Sequence, residues 1–498
     1  MRKAISTLAL AAIAAAAAAQ TGDLPRVAPE DEGIPSQAVA ELLDSLTSLP
    51  LTETHSVVIA RHGKIVAEIY PDPIKPQYKH TMYSCSKTFV AAGVGLAIAD
   101  GLLDLSDRVV TFFPESAPQQ VSPELDAMTV EHLLTMTSGI EPDWNLRGLT
   151  PHWTAAMLAK KAGQPGATFQ YDSMCSYLLS AIVQKVTGTT LLEYLKAKLF
   201  NPMNITDVQW EYSPEGCSTG GWGLYIQPES LAKFGILLTS QGRWNGQQLI
   251  PAEWVELMTT PKVRTNTLDY CYHTWAAEYP RSFRADGALG QYILMEPESQ
   301  IVVVITECTL GNGVRQRELV WETLMPQLSD TPLPHSASTA ELRAKQTTYS
   351  LPTPKGQRQN PEAESEAAGK TYRLDDNRLG WTAISICPAD SALQVSLTTA
   401  DGVTTQLACG FERWITTATT AYPPYSISAI GKFNGIDRDF HMAASYAWSD
   451  TGQLTLRIQY ADWVSAVTAS LDFHDSQVSI SAIENYSRSS ATIKGLAQ

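Results

Sequence analysis

Between residues 30 and 330 the apolar positions change their period more than once. "SVVIARHGKIVAEIY", Ser56 to Tyr70, holds two runs of β-branched residues on either side of His62-Gly63. Short runs of this kind divided by a glycine turn predict a β-hairpin. "YSCSKTFVAAGVGLAIADGLLDLSDRVV", Tyr83 to Val110, follows closely and runs on apolar; it predicts a buried helix that opens with two serines and a lysine. From Thr129 to about Leu199 the pattern is mostly helical, and "MCSYLLSAIVQKVTG" stops at Gly188 where a helix C-cap belongs. "QYILMEPESQIVVVITE", Gln291 to Glu307, returns to strand character as a second hairpin, with a helical run near Arg315 to Leu328 behind it. Strands at both ends thus enclose a helical middle.

Residues 331–369 are rich in Pro, Ser, Thr and charge and poor in large apolar side chains, the composition of a linker. Beyond it, "TAISICPADSALQVSLTTADGVTTQLACG" and "GQLTLRIQYADWVSAVTASLDFHDSQVSISAI" alternate apolar residues with Thr and Ser between Asp-Gly, Asp-Ser and Thr-Gly turns. Residues 370–498 are therefore expected to be all β, closed as a small barrel or sandwich. The expected division is a leader at 1–20, a main domain at 21–330, the linker, and a β-rich domain at 370–498. Neither part has an internal repeat of fixed period.

Composition supports this division and narrows the function. A chain of 498 residues, 44% hydrophobic and 17% charged, can bury more than one core. Its formal charge of -15 opposes a broad footprint on nucleic acid or anionic lipid. "MRKAISTLALAAIAAAAAAQTG" has the basic start, apolar run and small residues of a secretory signal peptide. No cysteine follows it to anchor a lipid, and no later apolar stretch is long enough to span a bilayer. The expected location is periplasmic or secreted. Seven cysteines are an odd number without CxxC or cysteine-histidine spacing, so no metal and no cofactor are expected. Export permits disulfides, and Cys387 and Cys409 are expected on neighbouring strands. The expected partner is a small-molecule or peptide substrate; oligomeric state is not legible.

The chemistry centres on Ser84-Cys85-Ser86-Lys87. Residues i and i+3 of a helix share a face, so Ser84 and Lys87 bring a hydroxyl within reach of an amine. Ser-x-x-Lys also arises by chance, and a lone serine can simply cap a first turn. The surrounding motifs decide between the two. "TVEHLLTMTSGI" at Thr129, "FQYDSMCSYLLSAIVQKVTG" at Phe169, "GGWGLYIQPESLAKFG" at Gly220 and "FRADGALGQYILMEPE" at Phe283 follow in that order.

In this order and spacing, over roughly residues 30 to 330, the chain resembles the class C β-lactamase-like serine hydrolases, which include penicillin-binding-protein-like and family VIII esterase-like members. The resemblance implies an α/β fold: an antiparallel sheet flanked by helices, with a helical subdomain, here followed by the C-terminal all-β barrel or sandwich. It implies Ser84 as nucleophile with Lys87, and Tyr171, from the Tyr171-Asp172-Ser173 match to a Tyr-x-Asn motif, as a second proton carrier. A serine hydroxyl needs a neighbouring base, and neither partner is one at its free pKa. Burial lowers a lysine pKa and a nearby ammonium favours tyrosinate, so the two would titrate as a unit. The resemblance also implies an oxyanion hole from the backbone N–H groups of Ser84 and Ala288. Ser173, Trp144, Ala285 and Gly287 would then face substrate.

Two departures bear on the substrate. Where β-lactamases and D-Ala-D-Ala peptidases place a lysine, or relatives a histidine, this chain has Ala285, and Ser173 replaces asparagine. Arg281 or Arg284 is available to replace the missing cation, or is a solvated strand-end charge. Trp153 is a candidate for the pocket border or for the core, and His132 resembles a structural histidine at a helix head. The expected activity is that of an exported serine hydrolase cleaving esters, or amides and peptides with small acyl groups. The alternatives are a D-amino-acid-directed peptidase or weak β-lactamase, and, in another class, a catalytically weak sensor of peptidoglycan fragments.

Overall fold

The computed structural model describes residues 23–311, 313–389 and 391–498; the expected signal peptide lies outside the described residues. The main domain is built on β1 (Thr52–Arg61), β2 (Lys64–Ile69), β3 (Trp275–Ala276), β4 (Phe283–Gly287), β5 (Gln291–Glu296) and β6 (Ile301–Thr309). They form one antiparallel sheet in the order β2-β1-β6-β5-β4-β3. Both expected hairpins are present, and β6 pairs with β1 to join the two ends of the domain. Alternation along β1 and β6 divides the apolar residues between two cores. Val58, Ala60, Val302 and Val304 face the helical middle, while Val57, Ile59, Val303 and Ile305 face the opposite layer. Covered on both faces, these strands read as near-continuous β-branched runs.

The opposite layer is α1 (Ser36–Thr47) and α5 (Val314–Leu324), which bury Leu42, Leu46, Val320 and Leu324 on the sheet. The other side holds α2 (Ser86–Ala99), α3 (Ser173–Thr187) and α4 (Pro228–Thr239). Every residue of α2 from Ser86 to Ala97 is buried, which is why its sequence is apolar on all sides rather than periodic. The stretch before α3 is less helical than its pattern implied. It contains only the short helices Val130–Leu134, Leu146–Leu149 and Trp153–Leu158, separated by loops.

The segment expected to be a plain linker carries α6 (Ala337–Gln346) and α7 (Pro361–Ala367). Its few apolar residues are spent on packing: Leu342 joins the α1–α5 layer, and Ala367 enters the core of the C-terminal domain. That domain comprises β7 (Thr371–Leu374), β8 (Trp381–Pro388), β9 (Leu393–Thr399), β10 (Thr404–Phe411), β11 (Ile415–Thr419), β12 (Phe440–Trp448), β13 (Leu454–Tyr460), β14 (Ala466–His474), β15 (Gln477–Glu484) and β16 (Ser490–Ala497). The ring runs β10-β9-β8-β7-β16-β15-β14-β13-β12 and closes by parallel pairing of β10 with β12, leaving β11 outside the ring as an extra partner of β12. The all-β expectation is met by a closed barrel of nine strands rather than a sandwich. Closure leaves those nine strands without an unpaired edge.

All seven cysteines are free thiols. Cys387 and Cys409 are not on adjacent strands: β9 lies between them, pairing Gln394 with Cys387 and Leu393 with Cys409. The order in which these strands pair was not legible because period-2 patterning places neither partner nor register.

Candidate active site

Ser84 sits in a 3-10 turn, Tyr83–Cys85, that feeds directly into α2, so Lys87 lies one turn beyond it. Lys87 Nζ is 2.9 Å from Ser84 Oγ and 3.1 Å from Ser173 Oγ, and donates to the Gly221 carbonyl at 2.7 Å. It also stands 4.8 Å from the centre of the Tyr171 ring, and Tyr171 lines the same cleft as Ser84. Residues from three separate stretches of the chain, at Ser84, at Tyr171 and Ser173, and at Gly221, therefore meet around one amine. Ser173 occupies the first turn of α3, whose N-cap Asp172 accepts from the Met174 N–H at 2.9 Å. The helix start thereby fixes the hydroxyl that holds the lysine.

Two glycines make this convergence sterically feasible. A Cβ on Gly221 would lie 2.6 Å from Ser173 Cβ, so only glycine lets the carbonyl that accepts from Lys87 approach α3. A Cβ on Gly287 would meet the Met82 carbonyl at 2.4 Å, so β4 can lie against the nucleophile turn only without a side chain there.

Burial moves the two proton carriers in opposite directions. It lowers the Lys87 amine from its ordinary 10.5 to about 7, with nearby Asp172 acting the other way. The same burial raises the Tyr171 phenol well above its ordinary range, only partly offset by Ser84. The expectation that an ammonium would favour tyrosinate gives way to desolvation: lysine is the group available as a base near neutrality, and tyrosine keeps its proton.

These residues border a cleft of about 500 Å³ lined by Ser84, Tyr171, Ser173 and Ala288, and by Trp144, which is 52% exposed. Ala285 and Gly287 are not among its lining residues; Ala285 is 1% exposed and belongs to the core under the helical side of the sheet. On that strand Arg284 and Asp286 border the cleft instead. Arg284 donates to Asp286 at 2.9 Å and lies 3.7 Å from Glu278, while Arg317 bonds Glu278 at 2.7 Å and lies 3.8 Å from Asp286. The two arginines and two carboxylates neutralise one another. Arg281 is an exposed partner of Glu298. Trp153 is buried against Tyr177 and Trp222 away from the cleft, and His132 accepts the Thr129 N–H at 3.1 Å as a helix cap. A second cleft of about 520 Å³, between the main domain and the barrel, contains none of the motif residues. Chemistry rather than size therefore locates the site.

Sequence reasoning missed one whole wall. Ser426 and Ile427, from the loop between β11 and β12, line the cleft. This loop is clasped to the main domain: Ser426 Oγ is 3.0 Å from Tyr83 Oη, and the buried Glu211 takes the Phe433 N–H at 2.9 Å and the Tyr425 hydroxyl at 3.2 Å. Tyr83 adopts a φ of 45°, unusual for a bulky residue, and is held there inside an aromatic cluster of barrel residues. Trp222 and Gly221, by contrast, were within the quoted "GGWG" stretch, and the glycine pair was a usable signal of close approach.

A family model described as Beta-lactamase matches residues 50–321. Among curated proteins, the 6-aminohexanoate-dimer hydrolase of Paenarthrobacter ureafaciens is 24% identical over 320 residues, covering 56% of this chain and 80% of that protein. Esterase EstB of Burkholderia gladioli is 26% identical over 211 residues, covering 36% and 53%. A penicillin-binding protein homologue from Caulobacter crescentus has a TM-score of 0.50 at 18% identity, over 58% of this chain and 97% of its own, a likeness of fold.

Proposed function

Because this chain belongs to the β-lactamase family of serine hydrolases, its cleft is to be read as a site of acyl transfer, and we propose that it hydrolyses esters or simple amides through an acyl-enzyme on Ser84. The observation that carries this reading is the 2.9 Å contact between Ser84 and a fully buried Lys87 whose amine is lowered to about 7. The neutral amine takes the Ser84 proton as Oγ bonds to the acyl carbon. The backbone N–H groups of Ser84 and Ala288, on the same cleft, receive the negative charge that develops on the acyl oxygen. Tyr171, protonated and on the same cleft, passes its proton to the leaving oxygen or nitrogen, and the Lys87 ammonium restores it. Water then attacks the acyl carbon with Lys87 again as base, the bond to Oγ breaks to release the acid, and the Lys87 ammonium returns the proton to Ser84.

Relatives named as an esterase and as a hydrolase of a dimeric amide support both bond types. Esters are favoured over β-lactams because Ser173 replaces the asparagine of the second motif, and Ala285, at the lysine's place in the third, is buried in the core and offers the cleft no cation. The basic, alanine-rich residues 1–20 support export; fractionation that leaves the protein in the cytoplasm with this segment uncut would overturn that part. The central test is labelling with a fluorophosphonate and mass spectrometry of the labelled peptide. The tag is expected on Ser84, with p-nitrophenyl ester hydrolysis lost in Ser84→Ala; a tag elsewhere, or equal turnover by the variant, sinks the assignment.

A further inference from the structure

One cation of the cleft has no ion-pair partner, although Asp172 and Glu211 act on it at longer range. Arg147, on the short helix Leu146–Leu149, lines the same cavity as Ser84. Its guanidinium lies 4.9 Å from the centre of the Trp222 ring and 5.5 Å from that of Trp144. Its Nε donates to the Ser428 carbonyl at 3.2 Å, and its own carbonyl accepts the Ile430 N–H at 2.9 Å. Among the described residues, neither Nη1 nor Nη2 meets an acceptor and no carboxylate forms an ion pair with it.

The other charged groups around the cleft have close partners of their own, apart from the second oxygen of Asp172, which is buried without a hydrogen bond. Arg284 and Arg317 are balanced by Asp286 and Glu278. Glu211 is occupied by Phe433 and Tyr425, and one oxygen of Asp172 by the cap of α3. Arg147 is partly desolvated, clamped at its Nε edge by the barrel loop, and has its remaining N–H groups unused. A guanidinium so held presents a planar donor pair that matches a carboxylate in geometry and charge.

We propose that Arg147 is an anion subsite, and that the substrate is an ester or amide bearing a carboxylate several bonds from the scissile bond. This rests on the hydrolase reading above and narrows it to a substrate class. Arg147 thus supplies a cation that neither Arg281 nor Arg284 supplies, from a short helix rather than from the strand where the family motif carries one.

The test compares matched esters. p-Nitrophenyl hemiglutarate against p-nitrophenyl valerate places the charge in the acyl half; the butyrate ester of 4-hydroxybenzoate against phenyl butyrate places it in the leaving half. In one of these pairs kcat/KM is expected to favour the anion by roughly ten- to a hundredfold, the worth of a charged hydrogen bond. That ratio should fall to near one in Arg147→Met and recover in part in Arg147→Lys. No preference in either pair, or one that survives Arg147→Met, overturns the proposal. Binding is read separately by ligand-observed NMR on Ser84→Ala protein. Hippurate should bind and its neutral amide should not, with hippurate binding lost in the Ser84→Ala/Arg147→Met double variant. If wild type turns over no ester while hippurate still binds through Arg147, the hydrolase reading fails and the subsite stands. Equal hippurate binding with and without Arg147 removes the subsite alone.

Discussion

The pH dependence of acylation follows directly from the burial of Lys87. Lowering its amine from 10.5 to about 7 corresponds to about 5 kcal/mol against the charged form. With a pKa near 7, roughly a tenth of the amine is neutral at pH 6, half at pH 7 and nine-tenths at pH 8. With an ordinary lysine, fewer than about one in a thousand would be neutral at pH 7. kcat/KM for a neutral p-nitrophenyl ester is therefore expected to rise about tenfold per pH unit below 6, bend near 7, and stay level above 8. The same shift has a stability consequence of fixed sign. Between about pH 7 and 10.5 the unfolded chain carries a proton on this lysine that the folded protein lacks, so stability rises with pH through that window. Below it, the cost of a buried ammonium is present in full. Lys87→Met removes that cost, so its Tm relative to wild type should be highest at pH 6 and decline by pH 9. The assay is a set of initial rates in buffers of constant ionic strength, paired with calorimetry at the two pH values. A rate that climbs without a bend to pH 9 or beyond, or a Tm difference that does not change with pH, refutes the assignment of Lys87 as the buried base.

Lys87→Ala and Tyr171→Phe should each lower kcat/KM by more than roughly a hundredfold, and the double variant by far less than the product, because the two act on one proton path; multiplying effects would show that they act independently. Gly221→Ala, whose new Cβ would fall 2.6 Å from that of Ser173, should displace the acceptor of Lys87 and lower kcat/KM at least tenfold, with a fall in Tm from roughly 1–3 kcal/mol of overpacking. Short-chain esters should exceed nitrocefin in kcat/KM by at least roughly tenfold, the loss of one charged hydrogen bond; faster turnover of nitrocefin would favour the β-lactamase alternative.

What could be read from the chain depended on whether the signal was local. The hairpins at Ser56–Tyr70 and Gln291–Glu307 were legible because strand, turn and strand are contiguous, and Ser84 and Lys87 because one helical turn joins them. Tyr171 required the ordered motifs, and its titration required burial, which opposes the effect of a neighbouring ammonium and overrides it. Ala285 was placed by alignment with a motif, but whether its side chain borders the cleft depends on sheet register and on what covers the strand. Arg147, Ser426 and Ile427 had no such signal. Their proximity to Ser84 comes from docking the barrel on the main domain, and no periodicity encodes the packing of one domain on another.

The clasp of residues 420–439 on Tyr83 and Arg147 makes the timing of synthesis matter. Ser84, Lys87, Tyr171, Gly221 and Ala288 have all left the ribosome by the time residue 330 is added, yet the facing wall of the cleft comes more than ninety residues later, from Ser426 and Ile427. The ring that carries it closes only when Ser490–Ala497 pairs with Thr371–Leu374 and Gln477–Glu484. A nascent chain holds its nucleophile and base early but remains an open half-cleft until Ser490–Ala497 docks. Loss of Ser490–Ala497 would then open the ring that carries this wall without altering any residue that lines the cleft.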